Sequence, residues 1–138
     1  MRRFMNKLIK PALSLAIAAT LFCGHAEAQS AIKGELQALA RKEILRISSK
    51  GQLTFVDLSD SSIKKIVPTD NHPEIFSNSA GTLFVLCITG TDKRGGKVPI
   101  DIYVSKEGGA LRLVDINFGD QARKGFMDLV KKGVVRRL

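Results

Sequence analysis

The chain is poor in several residue types on which particular chemistries depend. Its 138 residues include no tryptophan, one tyrosine, two cysteines, two histidines and four prolines. With one tyrosine and no tryptophan, a stacking platform for single-stranded nucleic acid is not expected. Two cysteines are too few for a disulfide-rich scaffold, and two histidines supply little material for a metal centre. Acidic residues are also scarce, with 13 against 22 Lys and Arg, so the net charge is +9.

The remaining composition is that of an ordinary globular protein. Hydrophobic residues make up 44% of the chain and charged residues 25%, which is typical of a folded domain and not of a disordered or fibrous one. A chain of this length holds one domain, so a TIM barrel or a two-lobed dinucleotide-binding enzyme is excluded.

The N-terminus has the three parts of a secretory signal peptide. An uncharged, mostly apolar run from Ala12 to Cys23 is followed by small residues at Ala26 and Ala28. Four cations precede the run: Arg2, Arg3, Lys7 and Lys10. We therefore expect residues 1–28 to be cleaved as a signal peptide and residues 29–138 to form a single periplasmic or secreted domain. Retention of the segment as an uncleaved anchor is the alternative.

Cleavage changes both charge and cysteine content. It removes four basic residues and one acidic residue, so the net charge falls from +9 to +6 and the domain stays basic. It also removes Cys23, which leaves Cys87 as the only cysteine. Cys87 lies in an apolar run and is expected to be a small buried side chain, the alternative being an intermolecular disulfide.

Apolar spacing predicts an α+β domain. The spacing predicts a helix over Ala31–Ile47 and a second helix after Gly119, with Asp120 as its N-cap. Strands are predicted at Gln52–Leu58, Thr82–Gly90, Val98–Ser105 and Leu111–Phe118. The segment Ile63–Val67 is predicted to be either a short helix or an edge strand. The segment Pro68–Gly81 is predicted to be a surface loop. We expect a curved antiparallel sheet of about four strands, with the N-terminal and C-terminal helices packed on one face.

No motif for catalysis or cofactor binding is complete. The glycine-rich segment Gly90–Lys97 lacks the P-loop order of Gly, Lys and Ser or Thr, and it joins two strands. Asp70, His72 and Glu74 alternate in one segment, but a single histidine with two acids fits a turn better than a metal site. There is no Gly-x-Ser-x-Gly elbow and no Cys–His signature. We therefore expect that the protein is not an enzyme and that it has no catalytic residue, metal or cofactor.

The basic residues form the remaining signal. They cluster in the turn between two predicted strands and along the last helix: Lys93, Arg94, Lys97, Arg123, Lys124, Lys131 and Arg136. A solvated surface explains them, and so does an anionic partner. The partner expected in an exported protein is an envelope protein or anionic lipid, and no nucleic acid is expected.

One stretch is similar to the C-terminus of the Ttg2/MlaC toluene-tolerance family of periplasmic phospholipid carriers. It consists of Tyr103–Gly109 and Leu111–Ile116, followed by Gly119, Arg123, Phe126, Leu129 and Gly133–Leu138. More generally, the strand–Gly–helix order resembles NTF2-like and cystatin-like domains. The carrier resemblance implies an acyl cavity lined by Phe118, Phe126 and Val130, smaller than in the longer carriers. The NTF2-like resemblance implies an interaction module of a secretion complex. The function expected is thus a non-enzymatic binding or assembly module of the cell envelope, or alternatively a small carrier of lipid or another apolar ligand.

Overall fold

A computed structural model of the chain describes residues 16–69 and 73–138. Contacts divide the chain into two units, Met1–Ile32 and Lys33–Leu138, and every strand lies in the second. The elements in chain order are α1 (Ala16–Ile47), β1 (Leu53–Asp57), β2 (Ser62–Pro68), β3 (Glu74–Asn78), β4 (Leu83–Asp92), β5 (Lys97–Glu107), β6 (Ala110–Phe118), α2 (Asp120–Lys131) and β7 (Val135–Arg137).

Strand β4 is the centre of a single antiparallel sheet. One edge of β4 pairs with β5 along nearly its whole length, and β5 pairs with β6. The other edge pairs with β3 near the start of β4 and with β2 near its end. Strand β1 pairs with β2, and β7 pairs with β3. At Gly90 there is no room for a side chain, since an added Cβ would lie 2.9 Å from Ile66 Cδ1 and 3.3 Å from Ile100 Cδ1.

The two faces of the sheet carry different side chains, because neighbours in a strand point to opposite sides. Val85 and Cys87 lie on the face that α2 covers, which we call the helix face. Leu86, Ile100 and Ile102 lie on the opposite face and are fully buried. A run such as Leu83–Ile88, apolar at every position, is what a strand buried on both faces requires.

The prediction of a four-stranded sheet is wrong. The sheet has seven strands, because the segment predicted as a loop, Pro68–Gly81, contains β3, and the chain after α2 forms β7. The mixed α+β composition and the β4–β5–β6 meander are confirmed. The ambiguous segment Ile63–Val67 is part of strand β2.

Helix α1 ends at Ile47, as predicted, but it begins well before Ala31 and passes through the predicted cleavage position at Ala28. Within residues 26–47, the buried side chains are Leu36 and Ala40. Residues 1–15 of the predicted signal segment lie outside the described residues. In the described part of the chain, no helix is both long enough and apolar enough to cross a bilayer.

Helix α2 is closed by backbone geometry at both ends. Its N-cap is Gly119 and not Asp120, which is the first residue of the helix, and no side chain caps it. At the other end Gly133 adopts a positive φ of 70°. The N–H groups of Gly133 and Val134 then donate to the carbonyls of Val130 and Leu129, the Schellman pattern that turns the chain sharply into β7.

Candidate functional site

The β1–β2 hairpin exposes an apolar surface that the rest of the described chain does not cover. Val56 and Ile63 lie opposite each other in the strand register and are 57% and 72% exposed. Leu58 in the turn is 85% exposed, and Val67 at the end of β2 is 43% exposed. We call these four residues the hairpin patch. Adjacent exposed apolar side chains on a small domain are typical of an interaction surface.

The register explains why these side chains point outward. Leu53 and Phe55 of β1 and Ile66 of β2 take the buried side of the hairpin, so the alternate positions must face the other way. Val67 is paired with Thr91, which lies on the same side of β4 as Cys87, so Val67, Ile63 and Val56 lie on the helix face, and Leu58 follows in the turn. Helix α2 contacts β5, β6 and β7 and leaves this part of the face open.

A polar turn holds the hairpin in shape. Asp57 accepts hydrogen bonds from Lys64, from the Ser59 hydroxyl at 2.6 Å and from the Ser59 N–H at 3.0 Å. The hydrogen bond from Lys64, assisted by those from Ser59, lowers the pKa of Asp57 to about 2. Asp60 caps the next residues by accepting from the Ser62 N–H at 3.0 Å. These hydrogen bonds join the end of β1 to the turn and to β2, and so they stabilise the hairpin.

A groove lies beside the hairpin, between two strands that each have a free edge. In the described chain β1 pairs only with β2, and β6 pairs only with β5. The groove between them has a volume of about 800 Å³ and is lined by residues 55–59 and 116–122. Phe55 and Phe118 join the two strands by stacking at a centroid distance of 4.8 Å and an angle of 10°. The unpaired edges offer backbone donors and acceptors to an extended chain.

The three residues predicted to line an acyl cavity are not brought together. Phe126 is 1% exposed and packs edge-on against Phe76, with the ring centroids 5.0 Å apart. It belongs to the hydrophobic cluster between α2 and the sheet, and Val130 packs at the margin of that cluster. Phe118 lies on the opposite face, because its neighbour Asn117 pairs with Asp101 on the helix face. Phe118 instead lines the groove.

A buried ion pair that the sequence analysis did not anticipate lies under α2. The Asp101 side chain is 1% exposed, and the Arg123 side chain 27%. Arg123 Nε donates to both carboxylate oxygens, at 2.8 and 3.1 Å, and Nη2 donates to the Ile88 carbonyl at 3.3 Å. Burial opposes the charge of Arg123, but hydrogen bonding and attraction to Asp101 raise its pKa above the ordinary value. This pair fixes α2 to β5.

Cys87 is buried, as predicted, and forms no disulfide within the part of the chain that the structure describes. Burial raises the pKa of its thiol well above the ordinary value, and the nearby Asp101 carboxylate adds to the effect. A reactive cysteine needs the opposite surroundings, with exposure and a stabilised thiolate. The geometry therefore makes Cys87 a packing residue.

The residues predicted as a basic surface occupy several places. Lys93, Arg94 and Lys97 are exposed in and beside the β4–β5 turn, and Arg123 is engaged with Asp101. Lys124 and Lys131 are exposed on α2. Arg136 is exposed on β7, where the register places it on the face opposite α2.

Within residues 16–69 and 73–138, no three His, Cys, Asp or Glu residues are grouped so as to hold a metal ion. Of the segment considered for a metal, Asp70 and His72 lie outside the described residues, and Glu74 forms an ion pair with Arg137.

The chain matches no protein-family model, no curated protein and no solved structure. The resemblance to periplasmic phospholipid carriers and NTF2-like domains therefore stays a prediction from the sequence.

Proposed function

We propose that this protein is an exported, non-enzymatic binding module of the cell envelope, which contacts a partner protein through the β1–β2 hairpin. The observation that carries the proposal is the hairpin patch, where Val56 and Ile63 face solvent as a cross-strand pair beside Leu58. The signal-like N-terminus supports export.

The free edge of β1 suggests how the partner binds. An extended segment of the partner adds to β1 as a further strand, in the groove that β6 borders on its other side. Backbone hydrogen bonds then supply affinity, and apolar side chains of the segment cover the patch and select the sequence. The sequence resemblance to NTF2-like domains supports a role for such a module in a secretion or envelope complex.

Crosslinking tests the proposal in cells that export the protein. A photoreactive benzoylphenylalanine replaces Ile63 in one variant and Leu45 in another; Leu45 is 69% exposed on α1, outside the hairpin patch and the groove lining, and serves as the control. We expect a discrete protein adduct from position 63 and none from position 45. Equal adducts from both positions would contradict the proposal.

The captured partner is then purified and its affinity measured. The variant Val56→Thr with Ile63→Thr keeps β-branched side chains but removes about 2 kcal/mol of apolar burial, so binding should weaken roughly 30-fold. The control, Leu45→Ala, truncates an exposed apolar side chain outside the patch and the groove and should bind like the unaltered protein. Urea midpoints of all variants should agree, since the side chains are exposed, and unchanged affinity in the double variant would reject the patch.

A second candidate, a carrier of an apolar ligand, is favoured by the same groove. A volume of about 800 Å³ lies within the range of small-molecule sites, and Phe55 and Phe118 offer an aromatic surface. Native mass spectrometry of the gently extracted protein tests it. A near-stoichiometric lipid, lost in Phe118→Ala, would favour carriage over protein binding, whereas a ligand-free mass would remove tight carriage.

A further inference from the structure

We infer that the exposed side of α2 is a second, separate contact surface, which binds an anionic lipid membrane. The surface consists of Lys124, Lys131 and Lys132 together with the exposed apolar side chains of Met127 and Val134, and we call it the α2 ridge. It shares no residue with the hairpin patch or the groove.

Helical spacing brings the ridge residues together. Lys124, Met127 and Lys131 are separated by three and four positions, so they lie along one stripe of the helix. The buried Phe126 points the other way, into the cluster under α2. Lys132 is the C-cap, and Val134 follows the turn at Gly133.

The ridge carries positive charge that its own acidic residue does not cancel. Asp128 is the acid among these positions, and its carboxylate lies 3.9 Å from Lys131 Nζ in an exposed contact. Lys124 and Lys132 have no ion-pair partner among the described residues. An anionic surface is the complement of such a ridge.

The apolar members favour lipid over nucleic acid. Met127 is 40% exposed and lies between Lys124 and Lys131 on the helix, and Val134 is 48% exposed and follows Lys132. Lysines around protruding apolar side chains suit the boundary of headgroups and acyl chains. A nucleic-acid surface would instead be expected to offer stacking aromatics or arginines, and the ridge has neither.

The ridge is presented without rearrangement. Arg123 ties α2 to Asp101, Phe126 fills the cluster beneath it, and the hydrogen bonds at Gly133 fix the C-terminal turn. A surface that is ordered in advance loses little conformational entropy on binding.

Vesicle sedimentation tests the inference. The full chain is produced in a bacterium that exports it, and the processed protein is used. Mass spectrometry verifies that every variant has the same N-terminus. Vesicles contain phosphatidylcholine alone or with phosphatidylglycerol. We expect binding only with phosphatidylglycerol, weakened by added salt. Replacing the three ridge lysines by glutamine should weaken binding by roughly fivefold per lysine, on the order of 100-fold in all.

The control variant replaces Lys42, Lys50 and Lys106, which are exposed and off the ridge, by glutamine for the same change of charge. It should lose far less affinity than the ridge variant. Equal losses in the two variants, equal binding to the two vesicle types, or tighter binding to an oligonucleotide than to lipid would each overturn the inference. The partner affinity of the hairpin patch is measured without lipid, so the two proposals fail separately.

Discussion

Removing Arg123 should destabilise the fold more than removing both members of its ion pair. In Arg123→Ala the Asp101 carboxylate, 1% exposed, loses three contacts of 3.1 Å or less and keeps its burial. Leaving one member of a buried pair without its partner costs about 3–5 kcal/mol. With a urea m-value of about 1.5 kcal/mol/M, the unfolding midpoint should fall by roughly 2–3 M.

The reverse truncation should cost less. In Asp101→Ala the guanidinium is already 27% exposed and can turn toward water, so the loss is about 1.5–3 kcal/mol. The double variant has no unpaired buried charge and should be more stable than Arg123→Ala alone. Urea unfolding at pH 7, followed by circular dichroism, measures all three.

If Arg123→Ala does not fold, Arg123→Lys replaces it in the comparison. Lysine keeps the positive charge but lacks the planar guanidinium, so the free energy of unfolding of this variant should lie between those of the unaltered protein and the alanine variant. A loss below 1 kcal/mol in Arg123→Ala, or a double variant less stable than it, would refute the reasoning.

Three further predictions follow from the packing and the charges. Phe126→Ala should lower the free energy of unfolding by about 3–5 kcal/mol, whereas Met127→Ala, 40% exposed, should change it by less than about 1 kcal/mol; equal losses in urea unfolding would contradict the packing under α2. Cys87 should resist a thiol reagent at about pH 8 in the native protein and react fully in denaturant; fast native labelling would contradict its burial. The pKa of Asp57 is depressed from 3.8 to about 2 on folding, so the stability it contributes should be complete above pH 3.8 and lost as pH falls toward 2; NMR titration of its carboxyl should show this, and Lys64→Met should move the pKa back up.

The sequence pattern predicted those strands and helices whose structure depends mainly on residues close together in the chain. Strand β4 is apolar throughout, and β5 alternates, so both are evident from the sequence. Strand β3 is not, because Ile75 and Phe76 are flanked by proline, asparagine and serine, and the strand exists only by pairing with β4 and β7. Arg136 is predicted to lie on the last helix, whereas the turn at Gly133 ends that helix first and Arg136 lies in β7.

The candidate surfaces could not be predicted from the spacing of apolar residues, because they depend on which strands pair in the sheet. Ile63 and Ile66 are alike in sequence, yet one is 72% exposed and the other 1%, because pairing with β4 sets which side of β2 is buried. Asp101 alternates with the buried Ile100 and Ile102, a pattern that predicts a polar side chain facing outward, yet the Asp101 side chain is 1% exposed. Its partner Arg123 lies 22 residues away on another element, so no local motif joins them.

Hydrogen exchange of the backbone amides, with and without the partner captured at position 63, tests the central claim most directly. If the partner adds a strand to β1 beside the hairpin patch, amides of β1 and of residues 116–118 should gain protection in the complex, while those of α2 stay unchanged. Exchange from β1 that is equally fast in both states, or protection confined to α2, would contradict the assignment of the hairpin as the protein-binding surface.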